Sequence, residues 1–146
     1  MQHKTQEQLQ CVAAVYPNET RPAMTRSERL ERWADLLDRE PFRRLRTLFG
    51  TEYQPADARD EMRSVDSPFS IAFEDPVLRA EGLGSDTYGD AKRFFELTDR
   101  QLHNSVCYCH LGASISAEAT ARRVRAAING SGDAGMIAWL RGTLVP

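Results

Sequence analysis

TRSERLERWADLLDREP, residues 25–41, reads as a helix with both of its ends written in. Thr25 and Glu28 form a T-x-x-E capping box: the hydroxyl accepts from the amide three residues on, and the carboxylate reaches back to the cap amide. Leu30, Trp33, Ala34 and Leu37 follow at intervals of three and four, so one face is apolar. Pro41 disfavours helical geometry at Glu40 and ends the run. Glu28 with Arg32, and Asp35 with Arg39, sit four apart and are expected to pair along the helix surface.

Working outward, residues 42–50 are expected to form a second short helix, with Phe42, Leu45 and Phe49 on one side and Gly50 as its stop. Pro55 opens PADARDEMR, a helix polar on most sides that belongs on the surface. In SPFSIAF, residues 67–73, Phe69, Ile71 and Phe73 alternate with small residues at a period of two. No comparable second strand exists to pair with it, and a lone strand leaves its edges unsatisfied. The stretch is therefore expected to be an extended loop that plugs three side chains into the core. DPVLRAEGLG, residues 75–84, has Asp75 to cap a helix, Pro76 at its first position and Gly82 to stop it. SDTYGDAKRFFEL gives another, capped by Ser85 or Asp86, with Phe94 and Phe95 facing inward. TDRQ, residues 98–101, repeats the capping box and starts a helix expected to run to Gly112. Ser116 caps AEATARRVRAAI, in which Ala117, Ala121, Val124 and Ile128 make an apolar stripe.

The expected fold class is all-α, a compact bundle of six to eight short helices with a mobile N-terminal leader. The leader is residues 1–23, Gln-rich and broken by Pro17 and Pro22, and Met24 is an alternative start. Residues 24–130 form the helical domain. Residues 131–146 are a linker and an apolar C-terminal helix.

A chain of 146 residues is about one domain and is long enough to build a core without disulfides or metals. Its net charge of −2 argues against a chain-wide nucleic-acid footprint. The three cysteines are an odd count with no repeated spacing, which is not a disulfide framework and points to a reducing compartment, the cytoplasm. No apolar run approaches the roughly 18 residues of a membrane span. The N-terminus lacks the basic and apolar regions of a secretory signal.

Chemistry-bearing residues concentrate in HNSVCYCHLG, residues 103–112. On a regular helix His103, Cys107 and His110 share one face, while Cys109 points away from Cys107. Two imidazoles and one thiolate suit zinc, with a fourth ligand from elsewhere or from water. Against this, buried cysteine behaves as a small hydrophobe, and a histidine at a helix C-terminus gains from the dipole without any metal. A Cys107 nucleophile assisted by His103 would need a third, orienting group, and the sequence identifies none. EGLGSDTYG lacks the phosphate-loop pattern. RRLR at 43–46 and RRVR at 122–125 would meet an anionic partner if they shared a surface, but carboxylates interspersed among the arginines of residues 21–46 offset most of that charge. After the GSGDAG linker, Met136, Ile137, Trp139 and Leu140 form an apolar tail suited to another protein's groove or to self-association.

The expected function is protein–protein contact, as a non-catalytic regulator, adaptor or assembly partner with no cofactor. A zinc- or redox-responsive protein using His103, Cys107 and His110 is the alternative, and a nucleic-acid-associated regulator a further one. Removing residues 131–146 is expected to leave a cooperatively unfolding domain, checked by circular dichroism, whose self-association or partner binding is weakened. A truncated chain that fails to fold would make the tail part of the core.

Overall fold

Seen in a computed structural model, which describes residues 23–107 and 112–129, the capping box does what its sequence dictates. Thr25 Oγ1 accepts from the Glu28 amide at 3.1 Å, and the Glu28 carboxylate accepts from the Thr25 amide at 3.0 Å. Helix α1 (Arg26–Asp38) follows, with Leu30, Trp33, Ala34 and Leu37 all buried. The last described helix lies against this stripe and buries Ala117, Thr120, Ala121, Val124 and Ala127, small side chains that let two helix axes approach closely.

Trp33 is the centre of the core. Its ring stacks on Phe95 with centroids 4.4 Å apart and lies 5.9 Å from Phe69, and its indole N–H donates to the Pro68 carbonyl at 2.9 Å. Those partners belong to two further helices, Pro68–Glu74 and Tyr88–Phe95.

Seven α-helices occur among the described residues, in keeping with the mostly helical fold expected. In chain order they are α1, α2 (Ala56–Asp60), α3 (Pro68–Glu74), α4 (Pro76–Glu81), α5 (Tyr88–Phe95), α6 (Asp99–Ser105) and α7 (Ala117–Ile128). Polar α2 buries none of its residues. Asp75 caps α4 and Gly82, at φ +123°, stops it. A side chain on Gly89 would place its Cβ 2.8 Å from that of Asp60, so this glycine is what lets α2 sit against α5.

Four local expectations are corrected. SPFSIAF is helix α3, not an extended loop: Ser67 Oγ accepts from the Ser70 amide at 3.2 Å and Pro68 occupies the first turn. A cap followed by proline outweighs three alternating hydrophobes. Pro68, Phe69 and Ala72 are then buried, with Ile71 and Phe73 packed at the flank of the helix. Residues 42–50 do not form a helix. Arg44–Arg46 is strand β1, paired antiparallel with β2 (Ser114–Ser116) in the register Arg44↔Ser116, Leu45↔Ile115, Arg46↔Ser114. Leu45 and Ile115 point into the protein, whereas Phe42 and Phe49 stay exposed. The cap of α5 is Thr87, which accepts from the Asp90 amide at 3.3 Å; Ser85 supports it from behind through a 2.9 Å hydroxyl contact. Helix α6 begins at its Thr98–Gln101 capping box but ends at Ser105 rather than at Gly112.

The anticipated ion pairs along α1 are replaced by pairs between elements. Arg32 forks onto Asp75 at 2.6 and 2.9 Å, and Arg125 of α7 reaches Glu31, Asp35 and Asp38 of α1 at 3.0, 2.8 and 2.5 Å. Residues 1–22 of the expected leader, and all of the expected tail 131–146, lie outside the described residues. No described helix is long and apolar enough to cross a membrane.

Trp33→Ala removes the ring that three helices share and is expected to lower the free energy of unfolding by about 3–5 kcal/mol in urea titration, the usual cost of truncating a buried aromatic residue. A loss below about 1 kcal/mol, the level of a surface substitution, would show that the stack is not the core.

Candidate functional site

The proposed ligand triplet is best followed from the end of α6. Ser105 Oγ donates back to the Gln101 carbonyl at 2.7 Å, and the amides of both Val106 and Cys107 converge on the Leu102 carbonyl, at 2.8 and 3.2 Å. The helix closes there. Cys107 therefore lies past its last turn and does not share a helical face with His103, which corrects the geometry on which the H-x3-C-x2-H spacing rested. Cys107 is wholly buried among core side chains, while His103 is partly exposed. His110 and Cys109 lie outside the described residues, as do Met136, Ile137, Trp139 and Leu140. Among the described residues no group of three or more His, Cys, Asp or Glu side chains is disposed to hold a metal ion.

His103 does line a cleft of about 440 Å³, together with Thr51, Arg59, Tyr88, Asp99 and Asn104. Asp99, in the first turn of α6, is the hub of its polar wall. It accepts from the Tyr88 hydroxyl at 2.6 Å and from Lys92 Nζ at 3.0 Å, and Arg59 stands 3.3 Å from its other oxygen. The Tyr88 bond, reinforced by Lys92, holds the Asp99 carboxyl below the usual carboxylate range. Burial, then the Asp99 bond, pushes the Tyr88 phenol well above the ordinary tyrosine range. Arg59 also donates to the Thr51 and Gln54 carbonyls at 3.0 and 2.9 Å, tying the preceding loop to the same wall. A carboxylate held by a phenol and a cation, beside a phenol that keeps its proton, is a brace and not a poised acid–base pair.

A different feature belongs to the segment of chain that carries β1. The large hydrophobic side chains left exposed among the described residues are Phe42 (84%), Phe49 (68%), Tyr53 (81%) and Val65 (64%), all within one segment of the chain. Strand β1 runs through that segment. The Thr47 amide donates to Ala113 and the Ala117 amide to Arg43, so odd-numbered residues of β1 bond to β2 and the backbone groups of Arg44 and Arg46 point away. There the Asp66 carbonyl accepts the Arg46 amide at 2.9 Å and the Asp66 carboxylate accepts from Arg43 at 3.1 Å, which brings Val65 beside β1. A short 3-10 turn, Thr51–Tyr53, follows Gly50, whose φ of +80° makes the bend between β1 and Tyr53.

The two basic clusters have different fates. In RRVR, Arg122 lies 3.4 Å from Glu118, and Arg125 is taken by three carboxylates of α1. In RRLR, Arg43 is paired with Asp66, but Arg44 and Arg46 are exposed on the outer face of the ribbon, opposite Leu45. Sequence reasoning missed this surface because a helical reading of FRRLRTLF turns both phenylalanines inward. The local signal that was available is the alternation of RLR.

No family model matches the chain, and comparison with curated proteins and with solved structures likewise finds no match.

Because the folded state raises the Tyr88 pKa, its contribution is full below the ordinary tyrosine value of about 10 and is lost as pH rises toward the folded value. Tyr88→Phe is expected to cost about 1–3 kcal/mol at neutral pH through the lost bond to Asp99. The gap between wild type and variant, measured by urea unfolding across pH, should narrow once the pH passes about 10. A gap that stays constant or widens would show that Asp99 does not hold the phenol.

Proposed function

We propose that this protein acts by protein–protein contact, as a regulator, adaptor or assembly partner, and that its contact surface is the outer face built around β1. One observation carries the proposal: Phe42, Phe49, Tyr53 and Val65 are exposed together in one stretch of chain while the rest of the described surface leaves no comparable group uncovered. Single exposed hydrophobes need no explanation, but a cluster of them marks a site that something covers. Exposed aromatic rings beside arginines match the composition of interface centres, where Tyr, Phe and Arg are enriched and Lys and Glu depleted. The surface belongs to the folded domain and so adds to the apolar tail, whose Met136, Ile137, Trp139 and Leu140 are a second proposed contact element. The cytoplasm is the proposed compartment, supported by an odd cysteine count with no repeated spacing.

Phe42→Ser with Tyr53→Ser tests this directly. Both side chains are exposed, so stability should change by no more than about 0.5 kcal/mol for each substitution. Proteins that co-purify with the wild-type chain, or its self-association in sedimentation, should be lost in the double variant. Full retention of every partner and of the oligomeric state would overturn the assignment.

A further inference from the structure

We infer that the surface around β1 receives an extended acidic segment of another protein, one that presents two carboxylates at alternate residues next to an apolar side chain. This rests on the contact-surface proposal above and names the chemistry of the partner.

The arginines of this chain are disposed of in different ways. Arg32, Arg63 and Arg125 are each matched to carboxylates of the protein itself at 3.0 Å or less. Among the described residues Arg44 and Arg46 have no carboxylate partner, and they stand at alternate positions of one strand. Arg44 lies flat across β2, donating from Nη2 to the Ser114 carbonyl at 3.0 Å and to its hydroxyl at 2.9 Å, both neutral acceptors. These bonds hold its position, and among the described residues no carboxylate pairs with it and its Nη1 makes no bond. Arg46 is exposed and makes no side-chain bond among the described residues. The Asp66 carboxylate, whose backbone carbonyl meets the Arg46 amide, is bonded to Arg43.

Two arginines at alternate positions of a strand share one face and stand about 7 Å apart. An extended chain carries its own alternate side chains at the same interval, so carboxylates at i and i+2 meet both guanidinium groups at once. Charge-assisted Arg–carboxylate bonds are short and directional, and an arginine already held in place loses less freedom on making one. Phe42, two residues before Arg44 and exposed, supplies apolar cover at one end of the pair. A polyanion fits less well. Nucleic-acid affinity grows with the number of phosphates neutralised, and two arginines at alternate positions of one strand, on a chain of net charge −2, give a short track.

The experiment uses the full chain and fluorescein-labelled peptides followed by anisotropy: SETETFS, its amide analogue SQTQTFS, its basic analogue SKTKTFS and the spacing control STEETFS. A short labelled oligouridine is the nucleic-acid probe. SETETFS should bind about tenfold tighter than SQTQTFS, and salt should weaken it. STEETFS should bind less well than SETETFS, since adjacent carboxylates of an extended chain point to opposite sides. Arg44→Glu with Arg46→Glu should lose SETETFS and gain SKTKTFS, an exchange of preference that damaged folding does not produce. Equal binding of SETETFS and SQTQTFS, with both lost in Phe42→Ser, would overturn the acidic partner while leaving the contact surface standing. Absence of SETETFS binding, or tighter binding of the oligouridine that the double variant abolishes, would overturn it as well.

Discussion

Trp33 has to be enclosed, and that constraint organises the protein. Its ring is too large for one neighbouring helix to cover, and its N–H needs an acceptor once water is removed. The chain meets both demands with Phe95 from α5, Phe69 from α3 and the Pro68 carbonyl, all within a few residues of a capped helix start or end. The Pro68 carbonyl lies in the first turn of α3, so the same proline that starts the helix also presents the acceptor. Helix α7 closes the remaining side with small residues along its contact with α1.

Charge refines this arrangement without creating it. Asp75 caps α4 through the Leu78 amide and at the same time takes both nitrogens of the Arg32 fork, so one nearly buried carboxylate fixes the angle between α1 and the α3–α4 corner. The Arg32 bond is the main reason its carboxyl ionises more readily than usual. Arg63 does the same for Asp86, which also accepts from Ser70 of α3. These arginines are partly exposed, and each pair is worth little alone in water. Their value is positional: they join elements distant in sequence at angles the hydrophobic contacts alone leave loose.

Local chemistry was legible where a helix start was concerned. Thr25, Asp75, Thr98 and Ser116 cap helices as their sequences imply, and the buried stripe of α1 is the one that its spacing predicts. Reading failed where the decisive partner is remote. FRRLRTLF has a helical spacing of hydrophobes, but Leu45 pairs with Ile115, and nothing near residue 45 announces a strand so far along the chain. SPFSIAF failed for the opposite reason: the Ser–Pro start was present and was outweighed by a short alternation. At the candidate site, His103 was found in a cleft, but Ser105 bonding back to Gln101 ends the helix before Cys107, and hydroxyl back-bonding of that kind leaves no mark in a spacing pattern. The exposed aromatic cluster was illegible because exposure is decided by what the rest of the chain fails to cover.

The pairing of β1 with β2 has a consequence for the life of the chain. The ribbon that displays Arg44 and Arg46 is completed only when residues 114–116 arrive, after five helices have formed between the two strands. During synthesis, the first strand therefore waits, without its mate, until nearly the whole domain has left the ribosome. Closing so wide a loop is entropically expensive and belongs late in folding. A partner of the kind proposed for this ribbon would thereby be denied nascent or broken chains and would meet only finished molecules.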